Sequence, residues 1–195
     1  MYRKFFKNII DRIIALFIFI ILIPFSVCFC IFLKLKNTKE PIFFVQQRSG
    51  KNRKPFKCYK FRTMKIDTPK NVPTNKLENP EKYITKTGKF LRKTSIDELP
   101  QILNIILGDM SFIGPRPVIL NETELLDLRD EYGANDVKPG LTGLAQISGR
   151  DNLKMKEKAQ LDGEYARNLS FLYDLKIILR TIPYVLKKEG IKEGI

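Results

Sequence analysis

The sequence predicts an α+β protein, mostly helical, in two parts: an N-terminal apolar helix over residues 1–36 and a compact domain over 37–195. Three observations carry this expectation. Residues 13–33 form a 21-residue run without a charge. Two stretches rich in aromatic and β-branched residues, 41–46 and 55–63, flank the turn residues Gly50, Lys51 and Asn52, which is the pattern of a hairpin. Much of the remainder repeats apolar residues at helical spacing, as in Leu99, Ile102, Leu103, Ile106 and Leu107, the stripe of a core-facing helix. At 195 residues the chain is long enough for one domain with a real core.

The uncharged run is long enough to cross a bilayer as a helix. It is too long for the apolar region of a signal peptide, and Lys34-Leu35-Lys36 follows where a small-residue cleavage site would stand. Arg3, Lys4, Lys7 and Arg12 precede it, and Lys34, Lys36 and Lys39 follow it. Positive residues mark the cytoplasmic side, and here both flanks are positive. Pro24 lies near the middle, where it removes one helical hydrogen bond and bends or breaks the helix. Each half is about 15 Å long at 1.5 Å per residue, half of a ~30 Å hydrocarbon core. Two forms fit these facts: a kinked spanning helix, or a re-entrant helix that turns at Pro24 and leaves on the face it entered. The second needs a partner for the backbone freed at Pro24, and Ser26 is the nearest candidate.

The formal charge is +14, so anionic partners are expected. Residues 34–65 hold eleven Lys or Arg and one acid, Glu40. A basic hairpin directly after a membrane helix is drawn to anionic lipid, and the apolar run argues against a free nucleic-acid-binding module. No nucleic-acid partner is expected. The chain has no histidine. Acid–base chemistry must therefore fall to Asp, Glu, Lys, Tyr or Cys, and any metal would be a hard, oxygen-liganded cation such as Mg²⁺. The cysteines, Cys28, Cys30 and Cys58, show no framework spacing, which fits a reducing compartment. Residues 68–82 are polar, carry three prolines and read as a loop.

Asp97 and Glu98 stand at the expected start of the helix that ends at Gly108. Pro100 fits only the first turn, so Asp97 is expected as the N-cap, with both acids favoured as anions by the helix dipole. The pair can be simple caps or a site. Downstream, prolines on both sides fix the backbone of Arg116, giving either a surface turn or a preset guanidinium suited to phosphate. Residues 121–132 read as a short acidic helix. Residues 138–150 form a glycine-punctuated loop and strand able to approach a ligand closely. No Walker or dinucleotide-binding glycine pattern is present. Two further helices are expected over 153–169 and 171–188. The second is amphipathic, with Asp174 as an acid within it, and should kink or end early at Pro183.

Four motifs in order, FRTM at 61–64, TGKFLRKTSIDELPQILN at 87–104, GDMSFIGPRP at 108–117 and KPGLTGLAQISGR at 138–150, resemble the bacterial sugar transferases. More closely, the chain is similar to the small monotopic phosphoglycosyl transferases, over residues 11–188. The resemblance implies a re-entrant membrane helix and a cytoplasmic catalytic domain with interfacial helices, at the bacterial inner membrane. It also implies the minimal catalytic unit, without the added transmembrane helices of larger relatives. The implied reaction moves a phosphosugar from a UDP-sugar to polyprenyl phosphate, releasing UMP and starting glycoconjugate assembly. Asp97 would be the nucleophile, and Glu98 would help to hold Mg²⁺ or take a proton. By position, Arg92, Arg116 and Arg150 would face phosphate and nucleotide, joined by Lys60, Gln146, Asp162 and Asp174. Anionic lipids and downstream glycosyltransferases are the implied partners, and an N-acetylated sugar is the expected cargo. The chain departs from the family pattern at Ile23, where Ser often precedes the proline, and around Gln46-Gln47-Arg48.

Two other classes account for part of the sequence. A non-enzymatic polybasic anchor explains the apolar run and the basic ribbon but leaves Asp97, Glu98 and Arg116 unexplained. A lipid phosphatase explains the acids without transfer to a lipid.

Overall fold

The computed structural model describes residues 1–36, 40–69, 72, 77–149 and 152–187. Lys39, Arg150 and parts of the expected loop lie outside them. The chain opens with a π-helical turn, Tyr2–Phe6, that runs into helix α1, Lys7–Lys36. Strands β1, Phe43–Ser49, and β2, Pro55–Phe61, form the expected antiparallel hairpin. Its connection has Asn52 and Arg53 in the left-handed region. Then come α2, Lys86–Thr94, and a 3-10 turn, Ile96–Glu98. After it follow α3, Gln101–Leu107, β3, Ser111–Ile113, and α4, Thr123–Glu131. Strand β4, Gly140–Thr142, pairs in parallel with β3. Helices α5, Leu144–Ile147, α6, Met155–Asn168, and α7, Phe171–Lys187, complete the chain.

Helix α1 is one continuous helix through Pro24, which corrects the expected break into two helical halves. A proline removes only its own donor, and the ladder on either side carries on. By length and composition α1 is the one helix among the described residues able to cross a membrane, and most of its surface is apolar and exposed, including Phe17, Ile20, Phe25 and Ile31. One stripe faces the rest of the protein. Lys7, Asp11, Ala15 and Leu33 are buried on it. Ala15 packs with Phe56 and Cys58 of β2 and Ile102 and Ile105 of α3, while Leu33 packs with Phe61 and Leu91. Both ends of α1 therefore touch the same body.

The start of α1 is tied down by buried polar groups. Lys7 Nζ is 2.7 Å from Asp174 Oδ2 and 3.4 Å from Asp11. Tyr2 and Tyr165 hydroxyls also donate to Asp174, each at 2.8 Å. Ser111 donates to Asp11 at 2.5 Å. Pro183 lies inside α7, which continues beyond it. The expected early end does not occur, because the one lost donor falls in the helix's last turns.

Gly140 and Gly143 allow a close approach of backbone to backbone. A Cβ on Gly140 would stand 2.1 Å from the Gly114 nitrogen, and one on Gly143 would stand 2.1 Å from the Gly114 oxygen. Their bare backbones let the β4 segment close on the end of β3, and the strap Pro115-Arg116-Pro117 follows directly. A second core, Ile113, Val137, Leu144, Ile147, Tyr165 and Ile177, lies behind this junction.

Candidate active site

The site is assembled at the 3-10 turn Ile96–Glu98. Ser95 caps the end of α2 and the start of this turn, and its φ of 56° is left-handed, a conformation that an L-residue adopts at a cost and that gathers at functional sites. The chain thereby reverses and buries both acids, Asp97 at 9% and Glu98 at 8% exposure. Helix α3 begins only at Gln101, with Pro100 at its N-cap. Asp97 is thus not the cap of α3. The expected register moves because the left-handed residue closes a separate turn first and proline then takes the cap.

Three elements bring cations to this turn. Lys60, at the end of β2, donates to Glu98 Oε1 at 2.8 Å. Arg116, on the strap after β3, grips Glu98 with Nη2 at 2.8 Å from Oε1 and Nη1 at 3.4 Å from Oε2. Arg92, in the last turn of α2, donates from Nε to Thr63 Oγ1 at 2.9 Å. Thr63 belongs to the 61–64 motif, so that motif orients Arg92. Asn104 sets the register between β2 and the turn. It is fully buried, accepts from Tyr59 N at 3.1 Å and donates to Lys57 O at 2.6 Å. Asn104 lies off the expected apolar stripe: the face that packs is Gln101, Ile102, Asn104 and Ile105, while Leu99 and Leu107 of the expected core-facing stripe are exposed.

The two acids sit in opposite electrostatic environments. Burial pushes Asp97 up to about 6, with Glu98 opposing its ionisation and Lys60, Arg92 and Arg116 favouring it. Burial acts on Glu98 in the same sense, but Arg116 and Lys60 outweigh it and hold that carboxyl well below the usual range. Burial and the neighbouring cations, rather than the expected helix dipole, set the two carboxyls apart. Glu98 is a fixed anion and a weak base, and Asp97 titrates near neutrality. Two adjacent carboxylates suit Mg²⁺, which takes one or two protein carboxylates and draws its other ligands from phosphate and water. Asp97 offers the freer oxygens, since Glu98 already holds two cations.

Gln146 Nε2 donates to Leu141 O at 2.9 Å, and its Oε1 is buried without a partner. It lines a cleft of about 470 Å³ together with Glu98, Arg116 and apolar residues of α1 and α7. Asp174 also lines this cleft, but Lys7, Tyr2 and Tyr165 engage both its oxygens. Asp162 is 1% exposed and faces Arg129. Asp162 gives Oδ2 to Arg129, and both oxygens of Asp174 accept from protein donors at the cleft. Arg150 is outside the described residues. Arg129 was missed, because its acidic helix gave no sign that one arginine turns inward.

Comparison with known proteins identifies the lineage. A family model described as bacterial sugar transferase matches residues 2–188. The chain belongs to the bacterial sugar transferase family. It is 46% identical over 156 residues to the sugar transferase EpsL of Bacillus subtilis, covering 79% of this chain and 74% of the relative. It is 38% identical over 198 residues to the exopolysaccharide production protein ExoY of Sinorhizobium fredii, covering 94% and 87%. A longer relative, the UDP-glucose:undecaprenyl-phosphate glucose-1-phosphate transferase of Escherichia coli, is 38% identical over 92% of this chain but only 40% of its own length.

Proposed function

We propose that the protein is a phosphoglycosyl transferase that moves a phosphosugar from a UDP-sugar to polyprenyl phosphate and releases UMP. The observation that carries this reading is the buried acid pair ringed by Lys60, Arg92 and Arg116, where Glu98 and Arg116 form the polar wall of an apolar cleft between α1 and α7. Cations beside a carboxylate suit a diphosphate, and the apolar walls suit a lipid chain with its phosphate toward Arg116. The E. coli relative is named for a transfer of this class, of glucose 1-phosphate from UDP-glucose to undecaprenyl phosphate.

In this reading an Asp97 carboxylate oxygen attacks the β-phosphorus of the donor. The bond from that phosphorus to the bridging oxygen breaks, and UMP leaves with the oxygen. A phosphate oxygen of the lipid then attacks the phosphosugar–aspartate. The bond between that phosphorus and the Asp97 carboxylate oxygen breaks, the free carboxylate returns, and a polyprenyl-diphosphate sugar forms. Lys60, Arg92 and Arg116 stabilise charge on the transferring group. Asp97 and Glu98 would hold Mg²⁺, which supplies further neutralisation of the diphosphate when bound. Gln146 offers its unpaired oxygen to a substrate hydroxyl.

The same reading places α1 as a re-entrant helix in the bacterial inner membrane, bent at Pro24 without a break, with residues 37–195 as a catalytic domain on the cytoplasmic face. Support comes from the stripe that keeps both ends of α1 against one body and from the basic flanks at each end. The basic hairpin then meets anionic lipid, and the product passes to downstream glycosyltransferases. The test is UMP release with polyprenyl phosphate across a panel of UDP-sugars that includes glucose, galactose and N-acetylated sugars. Acceptor-dependent release with at least one donor is expected, and no release with any donor would favour the anchor alternative.

A further inference from the structure

We propose that Arg129 and Asp162 are positioning residues that fix Arg116 in place through its backbone carbonyl. The inference rests on the reading of Arg116 as a phosphate-binding group. Pro115 and Pro117 have no N–H, so the strap that carries Arg116 is held by its carbonyls. Each successive carbonyl has a donor. Gly140 N reaches Pro115 O at 2.8 Å and Ser49 N reaches Val118 O at 2.9 Å. Arg48 Nη1 reaches Pro117 O at 3.3 Å. At Arg116 itself the donor is Arg129 Nη1, at 3.0 Å.

Arg129 is buried in α4 and gives its other two donors to Asp162 of α6, Nε at 2.9 Å and Nη2 at 2.6 Å from Oδ2. The guanidinium thus joins two helices to the strap. A buried ion pair is a poor means of stabilisation, because apolar side chains of the same size do as well. What the pair adds here is a charged donor, held in a fixed direction, aimed at one carbonyl. The planar arginine fork puts separate nitrogens on the carboxylate and on the carbonyl in fixed directions, whereas a lysine ammonium is a single donor atom on a flexible stem. Lysine can keep the ion pair and lose the strap.

The experiment compares Arg129→Lys, Arg116→Lys and the double variant by UMP release, with polyprenyl phosphate and the UDP-sugar each varied, and by thermal melting. Arg129→Lys should melt close to wild type yet lose about tenfold in kcat/KM, mostly through KM for a phosphate substrate. In the Arg116→Lys background the same change should cost less than about twofold, because both act through one group. Wild-type kinetics for Arg129→Lys beside an impaired Arg116→Lys overturns the inference alone, as does an equal loss in both backgrounds, the mark of a purely structural role. Wild-type kinetics for Arg116→Lys overturns the phosphate-binding reading and the inference with it. Should Arg129→Lys not fold, the paired replacement Arg129→Met with Asp162→Leu, apolar side chains of similar size that remove the guanidinium donor to the Arg116 carbonyl, takes its place under the same criteria.

Discussion

Asp97 and Glu98 are adjacent in one turn, and the groups around them decide which is held as an anion. Glu98 is lowered by Arg116 and Lys60, so its contribution to stability is present above its unfolded value near 4.5 and is lost only at very low pH. Glu98→Gln should therefore destabilise the protein by ~3–5 kcal/mol, as expected when one partner of buried charges is removed. The loss should stay flat between pH 5 and 8 in thermal melts and be accompanied by loss of turnover. Asp97 behaves in the opposite sense. Its folded value, about 6, is raised from 3.8, so ionising it opposes folding, and that cost grows as pH rises through 6. Asp97→Asn should remove the cost. The variant should melt near wild type at pH 4 and higher at pH 8, by up to ~3 kcal/mol at roughly 1.4 kcal/mol per pH unit. It should release no UMP at either pH. Wild-type turnover in the variant would refute the nucleophile assignment. At this scale the residue types were legible: an acid pair in a histidine-free chain and an arginine between prolines. Their pairing was not: Lys60 and Arg116 were expected to face substrate, and that both close on Glu98, with Arg129 behind the Arg116 carbonyl, depends on elements that only tertiary packing brings together.

The elements set the site by a few buried polar contacts between otherwise apolar layers. Asn104 is the clearest case, since its amide satisfies the open edge of β2 beside the turn that bears Glu98. Asn104→Leu should leave the Tyr59 N–H and the Lys57 carbonyl, both part-buried, without their side-chain partner and cost ~1 kcal/mol in melting, with turnover reduced because Lys60 and Glu98 lose their register. A variant with unchanged melting and turnover would show that the hairpin is held by other means. The hairpin, α3's end at Gly108 and the two C-terminal helices were legible, because their signals are local: alternation, a glycine stop and a helical stripe. Helix α2 was not, although Thr85 caps it. Its Gly88 argues against a helix unless one knows that a Cβ there would stand 2.0 Å from Thr63 O. The start of α3 was misplaced for a related reason. Ser95 in the left-handed region closes a turn that no propensity of serine announces.

For the whole molecule, the apolar surfaces of α1 and α7 flank one cleft, and the polar network of Tyr2, Lys7, Asp11 and Asp174 holds the entry of α1 against α7. The re-entrant reading predicts that both ends of α1 lie on one side of the membrane. With Cys28, Cys30 and Cys58 replaced by serine, single cysteines at positions 3 and 39 should both be labelled from the cytoplasmic side in oriented vesicles. Labelling from opposite sides would establish a spanning helix. The length and charge of the segment were legible. Its continuity through Pro24 was not, because proline at a helix centre is compatible with either outcome.

The central claim, transfer through Asp97, is tested most directly by mixing the protein with a UDP-sugar and no lipid acceptor. The account predicts a burst of UMP approaching one per protein molecule, with a phosphosugar mass found on the peptide that contains Asp97. Subsequent polyprenyl phosphate should discharge it. UMP release that begins only when the acceptor is present, with no adduct on Asp97, would contradict the account.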